Sequence, residues 1–271
     1  MSEIRVGTQR VILLPGIILP AGLAYGALID ALGGGVEAVA KDLEVYAEEE
    51  PPGDYGLGDE VTGVFREADA RGWERFHLVG YSGGGAVALA AAAQRPERLL
   101  SLSLLEPAWA GDRDVGEAER NVRRELERLE GLPPDEFMGA FARLQLRPGV
   151  DPPAAPPPGP EPAWMAKRPA GIRVLIRAFA ASDLDRESLN RFGRPVYYAL
   201  GSLSNPDLYG AVAERLARAF DDFTLEVFQG RHHFDPPHRN EPERLARSLR
   251  ALWERAEASA GTMLQDGVAR P

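Results

Sequence analysis

The chain has 271 residues, 44% hydrophobic and 27% charged, values that suit one soluble α/β domain with room for a modest insertion. Its formal charge of −10, from 31 basic and 41 acidic residues, argues against nucleic acid or an anionic membrane as the main partner. Cysteine is absent, which excludes disulfides, thiol nucleophiles and thiolate metal sites. The N-terminus MSEIRVGTQR shows no signal-peptide pattern and no apolar run approaches membrane-spanning length, so a cytoplasmic location is expected.

In chain order, Arg10 to Leu14 (RVILL) reads as a buried strand broken by Pro15-Gly16. A loop, Ile17 to Gly22, and a helix, Leu23 to Leu32, follow. Val36 to Tyr46 is expected to hold another strand, and Glu48 to Gly58 a turn-rich loop. From Asp59 to Arg71, Val61, Val64, Phe65 and Ala68 recur at helical spacing, and Gly72 ends that helix. Phe76 to Val79 is too short for a helix and right for a buried strand. It runs into Gly80-Tyr81-Ser82-Gly83-Gly84 and then into the alanine-rich helix Ala86 to Ala93. Arg98 to Leu105 is the next strand, finishing at Glu106-Pro107.

Between Ala108 and Phe192 there is no convincing strand. Helices are expected over Val115 to Leu132, Asp135 to Leu146 and Trp164 to Ala181, the last interrupted near Pro169-Gly171. Pro148 to Pro162 is proline-rich. This stretch is expected to be a helical cap inserted over the sheet's carboxyl edge, because strand-type sequence resumes after it and the segment is small for a core of its own. Pro195 to Leu200 and Phe223 to Phe228 are strands flanking a helix from Leu208 to Phe220. A closing helix over Glu241 to Glu257 carries Leu245, Leu249, Leu252 and Trp253 on one face, and residues 261–271 read as a frayed tail. Alternation of strands and helices predicts an α/β fold with a mostly parallel sheet covered on both faces. The expected division is a core of residues 1–107 and 193–260 around a cap of 108–192.

A strand that turns at once into a helix around Gly-x-Ser-x-Gly holds its central serine in a strained conformation at the strand tip. Gly80 and Gly84 supply the close backbone approach such a turn requires, and the helix N-terminus favours developing negative charge there. Ser82 is therefore the expected nucleophile. A serine hydroxyl needs a base, and the chain has four histidines. His77 lies within the strand and is expected to be structural. His232 and His233 follow the last strand, where a general base belongs, and His238, after Pro236-Pro237, is expected on a surface loop.

With the serine elbow GYSGG, the PGI loop and the histidine segment RHHFDPPH in this order, the chain resembles the α/β-hydrolase fold family from Arg10 to about Trp253. The resemblance implies a histidine followed by an apolar residue as base, which selects His233 with His232 as fallback. It also implies an orienting acid, commonly an aspartate after the strand matching PVYYAL. Here that turn reads GSLSNPD, so Asp207 comes late, and Glu106, after the strand that follows the nucleophile helix, is favoured. Main-chain N–H groups of Gly83 and Ile17 are the implied oxyanion donors. Tyr81, Trp109 and Trp164 are the expected substrate contacts, with Phe137, Phe141 and Met165 also expected around an apolar pocket. The implied activity is a cofactor-independent, metal-free serine hydrolase acting on a small-molecule carboxylic ester or related acyl compound. Thioester, lactone and carbon–carbon bond hydrolysis stay open within the fold, and so does a ligand-binding protein with little turnover.

Overall fold

The computed structural model describes residues 8–152, 162–184 and 186–268. Six strands form one sheet: β1 (Gln9–Leu14), β2 (Val36–Ala40), β3 (Phe76–Tyr81), β4 (Leu99–Leu105), β5 (Val196–Gly201) and β6 (Phe223–Phe228). Their order is β2-β1-β3-β4-β5-β6, and every neighbouring pair is parallel. The helices, in chain order, are α1 (Ala21–Leu32), α2 (Leu57–Ala70), α3 (Gly83–Gln94), α4 (Glu117–Arg128), α5 (Pro134–Leu144), α6 (Arg168–Ala180), α7 (Arg186–Asn190), α8 (Ala211–Ala217), α9 (Pro237–Asn240) and α10 (Pro242–Val268).

Successive strand residues point to opposite faces, and the two cores divide accordingly. Ile12, Leu14, Leu78, Leu102, Leu104 and Tyr198 pack on one side with α2 and α3. Val11, Leu13, Val79, Leu105, Tyr197 and Ala199 pack on the other with α1 and α10. Each fully buried leucine or valine contributes roughly 1.5–3 kcal/mol. On the second face, Leu245, Leu249, Leu252 and Trp253 of α10 are all buried, as their helical spacing predicts.

The chain leaves β1 for α1 on one face and leaves β3 for α3 on the other. The strand order reverses between β1 and β3, and the loops beyond their carboxyl ends diverge there to leave a crevice. Both Pro15–Leu19 and Ser82 sit at that point.

Local departures from the sequence reading have identifiable causes. The expected strand Val36–Tyr46 ends at Ala40, because Asp42 turns to accept the Ala21 N–H at the start of α1 (2.7 Å) and Glu44–Tyr46 form a 3₁₀ turn. No interruption occurs at Pro169–Gly171. Pro169 lies in the first turn of α6, where its missing N–H costs nothing, and Gly171 lets the Tyr46 ring lie against the helix, since a methyl there would stand 2.1 Å from Tyr46 Cε1. The expected helix Leu208–Phe220 begins instead as a π-helical turn, Pro206–Gly210, ahead of α8. Helix α10 runs on through Val268, beyond the expected start of a frayed tail. Most of the proline-rich stretch, residues 153–161, lies outside the described residues.

The segment between β4 and β5 does not form a separate core. Trp109, Phe137, Phe141, Ile172, Leu175 and Phe179 belong to the same buried cluster as the α2–α3 face of the sheet. A buried ion pair to α8 also locks it down. Glu119 of α4, buried, receives Arg123 (2.6 Å) and Arg215 of α8 (2.9 Å), and Arg215 also donates to Ala110 O. Among the described residues, no helix is long and apolar enough to cross a membrane.

Candidate active site

Ser82 joins β3 to α3 at φ 52° and ψ −117°. A side chain held at positive φ costs of order 1–3 kcal/mol and persists only where the surroundings enforce it. Enforcement here is by the main chain. Ser82 N–H donates to Leu105 O (3.0 Å), and Ser82 O accepts from Gly85, Ala86 and Ala108 N–H. A methyl at Gly80 would stand 2.3 Å from Gly84 O, and one at Gly84 2.5 Å from both Leu14 O and Pro15 O. The bend therefore exists only with hydrogen at both positions.

Around the serine, the ends of four other strands converge. His233, past β6, has Nε2 3.0 Å from Ser82 Oγ. Its Nδ1 lies 2.9 Å from Glu106 Oε2, at the end of β4. The other carboxylate oxygen, Oε1, accepts the Gly201 N–H from the end of β5 (2.6 Å). Glu106 sits at φ 48°, a second strained residue beside the first, and both Glu106 and His233 are buried. With both oxygens engaged, the carboxylate has a fixed direction. Tyr81 OH donates to the His233 main-chain oxygen, and its ring lies 5.0 Å from the imidazole. From the β1 loop, Ile17 closes against the start of α3: a methyl on Gly83 would be 2.3 Å from Ile17 Cγ2 and 3.8 Å from Ile17 N. At the start of α3 the Gly84 N–H donates to Pro15 O (3.0 Å), while the N–H of Gly83, the first residue of the helix, has no intrahelical acceptor.

The other candidates lie elsewhere. His232 is half-buried, and its Nδ1 accepts the Phe234 N–H (3.2 Å). Asp207 is exposed, and its own N–H is bound to Asn205 Oδ1 (3.0 Å). His77 is fully buried with Nδ1 2.8 Å from Ser101 Oγ and its ring stacked on Trp253, the structural role expected of it. His238 is not a surface residue. It is 0% exposed, because α9 folds back to lodge the imidazole between the Tyr25 and Tyr81 rings (4.8 and 4.7 Å). Burial, followed by the nearby Arg239 and His233, pushes its pKa down to about 3. Trp164 is not brought to Ser82: it stands 5.4 Å from the Arg168 guanidinium and lines a separate surface cavity with Asp42 and Tyr46.

Ser82 opens into two chambers. The larger, about 580 Å³, is bounded by Ile18, Leu19, Tyr81, Met138, Phe234 and Arg239. The smaller, about 200 Å³, is bounded by Trp109, Leu126, Gln145, Ile176, Phe179 and Leu208. Ile17, Ser82 and Phe141 belong to both. Trp109 is held by its Nε1–H on Asp112 (3.2 Å) and by stacking on Phe179. Phe137 stacks behind Phe141 rather than facing a chamber, and Met165 lines neither.

Residues 11–248 match the sequence model of the alpha/beta hydrolase family. The chain belongs to that family. Among solved structures, a thermophilic esterase from Thermogutta terrifontis shares 20% identity at a TM-score of 0.66, covering 92% of this chain and 91% of its own. A structure from a study of carboxylesterases of Nitrososphaera gargenis shares 16% identity at 0.67, covering 94% and 93%. A meta-cleavage product hydrolase from Pseudomonas fluorescens shares 18% at 0.61, covering 92% of each. Likeness at these identities speaks for the shared fold. No curated protein matches the chain.

In this alpha/beta hydrolase the turn after β5 does not carry an acid. Asn205 occupies it and ties down the end of α5, with Nδ2 donating to Leu144 O (2.8 Å) and its N–H to Gln145 O (3.0 Å). Two residues that no local motif singles out, Tyr209 and Gln145, extend the network away from the imidazole. Tyr209, fully buried on the π-helical turn, stacks on His233 at 4.4 Å with its hydroxyl 3.0 Å from Nε2. That hydroxyl donates to Gln145 Oε1. A π-turn often accompanies a functional site, but its presence is not encoded in a local string.

Proposed function

We propose that the protein is a serine hydrolase that cleaves a carboxylic ester, or a related acyl compound, through an acyl-enzyme. The observation that carries this reading is the unbroken relay Ser82 Oγ–His233 Nε2 (3.0 Å) and His233 Nδ1–Glu106 Oε2 (2.9 Å), opening into an apolar-lined cavity.

In this mechanism Ser82 Oγ attacks the acyl carbon while its proton passes to His233 Nε2. Glu106 keeps the Nδ1 proton directed at itself, so Nε2 carries the free lone pair, and it stabilises the imidazolium once formed. Negative charge gathers on the acyl oxygen, where the Gly83 and Ile17 N–H groups serve as donors, each contributing about 3 kcal/mol by the usual cost of removing one. Collapse breaks the bond to the leaving group, whose oxygen takes the Nε2 proton. A water then repeats the sequence on the acyl-enzyme, giving its proton to His233 and releasing the acid and Ser82. Helices α4 to α6 act as the cap, and the two chambers divide the substrate on either side of Ser82.

A fluorophosphonate probe is expected to label the wild type and not Ser82→Ala; labelling that persists in the variant rejects the nucleophile. p-Nitrophenyl esters of graded chain length then define the acyl range. Narrowing the smaller chamber with Ala108→Phe should shift that range and leave probe labelling intact. Saturable binding of these esters without release of p-nitrophenol would favour the receptor-like reading instead.

A further inference from the structure

The two oxyanion donors are not held alike. Gly83 N–H is fixed by helix α3, whereas Ile17 lies on a loop with no regular structure of its own. A donor stabilises the charge that develops in the reaction only if it is aimed beforehand, because reorganising it during the step cancels the gain. Ile17 therefore needs an anchor.

The hydrogen bonds of the loop show where that anchor is. The Tyr25 hydroxyl donates to Leu14 O (2.7 Å), Gly84 N–H to Pro15 O (3.0 Å) and the Tyr46 hydroxyl to Ile17 O (2.7 Å). The peptide between the last two is left open: among the described residues, Gly16 O accepts no hydrogen bond and Ile17 N–H donates none. Peptide units are planar, so fixing the units on either flank leaves the Gly16–Ile17 unit little room to rotate. The Gly16 Cα is also pressed against a ring, since a methyl on it would stand 2.7 Å from Tyr81 Cε1. The Pro15 flank is tied to α3, the helix that Ser82 begins. The Ile17 flank hangs on one side chain, Tyr46.

Tyr46 is itself seated on α6, part of the segment between β4 and β5. The ring lies where Gly171 has no side chain, and a methyl there would be 2.1 Å from Cε1 and 2.8 Å from the hydroxyl. The Arg168 guanidinium covers the ring at 3.8 Å from its centre, and Arg168 is buried. Burial pushes the Tyr46 pKa up to about 12, so at neutral pH the hydroxyl keeps the proton it donates.

We propose that Tyr46 is a positioning residue that aims the Ile17 N–H at the acyl oxygen, and that α6 holds it in place through Gly171 and Arg168. The proposal rests on the serine-hydrolase reading. Its effect is differential: a neutral ester carbonyl gains little from a well-aimed donor, and the oxyanion gains much more. A loosened loop therefore lowers kcat and leaves KM nearly unchanged. Tyr46 moves no proton and touches no reacting atom, so the titration of the base stays that of His233 and Glu106.

The test is Tyr46→Phe in the full chain, which keeps the ring and removes only the hydroxyl. It is read by kcat, KM and the pH profile of kcat/KM on the best p-nitrophenyl ester. A trifluoromethyl ketone of matching chain length adds a second readout, because its hemiketal oxyanion on Ser82 occupies the same donors. We expect kcat to fall about tenfold, short of the roughly 10²–10³ that follows loss of a whole oxyanion donor. Ketone affinity should fall by a similar factor, with KM little changed and the wild-type pH inflection kept. Gly171→Ala, which pushes the ring off its seat, should give the same pattern; if it does not fold, Arg168→Met takes its place. Wild-type kcat in Tyr46→Phe overturns the proposal. So does a raised KM at unchanged kcat, which would make Tyr46 a substrate contact, or a shifted inflection, which would put its effect on the base. Wild-type kcat in the α6 variant overturns the part assigned to that helix. Failure of the wild type to label with a fluorophosphonate, or labelling of Ser82→Ala, would instead reject the serine-hydrolase reading beneath it.

Discussion

Replacing Glu106 by glutamine exchanges one carboxylate oxygen for an NH₂ group, and the surroundings dictate which. The Gly201 N–H, 2.6 Å from Oε1, must keep an acceptor, so the amide oxygen stays there and the NH₂ turns toward His233 Nδ1. That nitrogen must then accept a hydrogen bond, which moves the ring proton to Nε2, where it faces Ser82 and cannot receive the serine proton. Losing the charge-assisted bond to the imidazolium costs about 1.5–3 kcal/mol. The inverted tautomer adds to it, for a total of roughly 3–5.5 kcal/mol, or about 10²–10⁴ in rate. The upper end matches the roughly 10⁴-fold loss when the acid of a Ser-His-Asp triad becomes an amide. Turnover of the best p-nitrophenyl ester and the fluorophosphonate labelling rate both report the loss, with urea unfolding as the control for folding. Asp207→Asn, an exposed change, should be nearly silent. A Glu106→Gln enzyme within about threefold of wild type would refute the reasoning, and the reverse ranking would move the acid to Asp207.

Three further outcomes follow from the same geometry. Gly80→Ala places a methyl 2.3 Å from Gly84 O, a backbone atom that cannot move without opening the bend; expression in soluble form should fall and any folded fraction should lose fluorophosphonate labelling, whereas a fully labelled, stable variant would contradict the close approach. His238, with its pKa depressed to about 3, binds fewer protons folded than unfolded between about pH 6.5 and 3. Its contribution is complete above the unfolded value and is lost as pH falls, by about 2 kcal/mol between pH 7 and pH 5. Urea titrations should show that loss in the wild type and a shallower one in His238→Phe, which fills the same slot between Tyr25 and Tyr81; equal slopes would count against a neutral buried imidazole. Glu119→Ala strands Arg215, whose pKa burial lowers, without its buried partner, and should cost about 3–5 kcal/mol in urea unfolding, unlike a surface pair such as Arg128–Glu125, whose loss should be near zero.

Much of the fold was legible because strand and helix periods are local. The apolar runs of β1, β3, β4 and β5 and the single apolar face of α10 all lie where their patterns put them. Errors fell where a distant partner overrode local preference. Asp42 ended β2 by serving α1, and Tyr46 gave Gly171 a reason to sit inside α6. His238 follows two prolines and looks like surface, but its fate depends on Tyr25 and Tyr81. Trp164 has the right chemistry for a pocket wall, and the rotation of its segment sends it to a different cavity. Tyr209 and Gln145 left no trace at all, being 64 residues apart and joined only through space.

From the amino-acid order alone came the bent serine, the strands either side of it and a short set of acids and imidazoles able to serve it. These follow from steric rules acting over a few neighbouring residues, where a missing Cβ at Gly80 or Gly84 is decisive. Which carboxylate meets which ring nitrogen was settled only when the loops after β3, β4, β5 and β6 met at one edge of the sheet. Hydrogen-bond reach is about 3 Å, and no sequence separation encodes a distance that short.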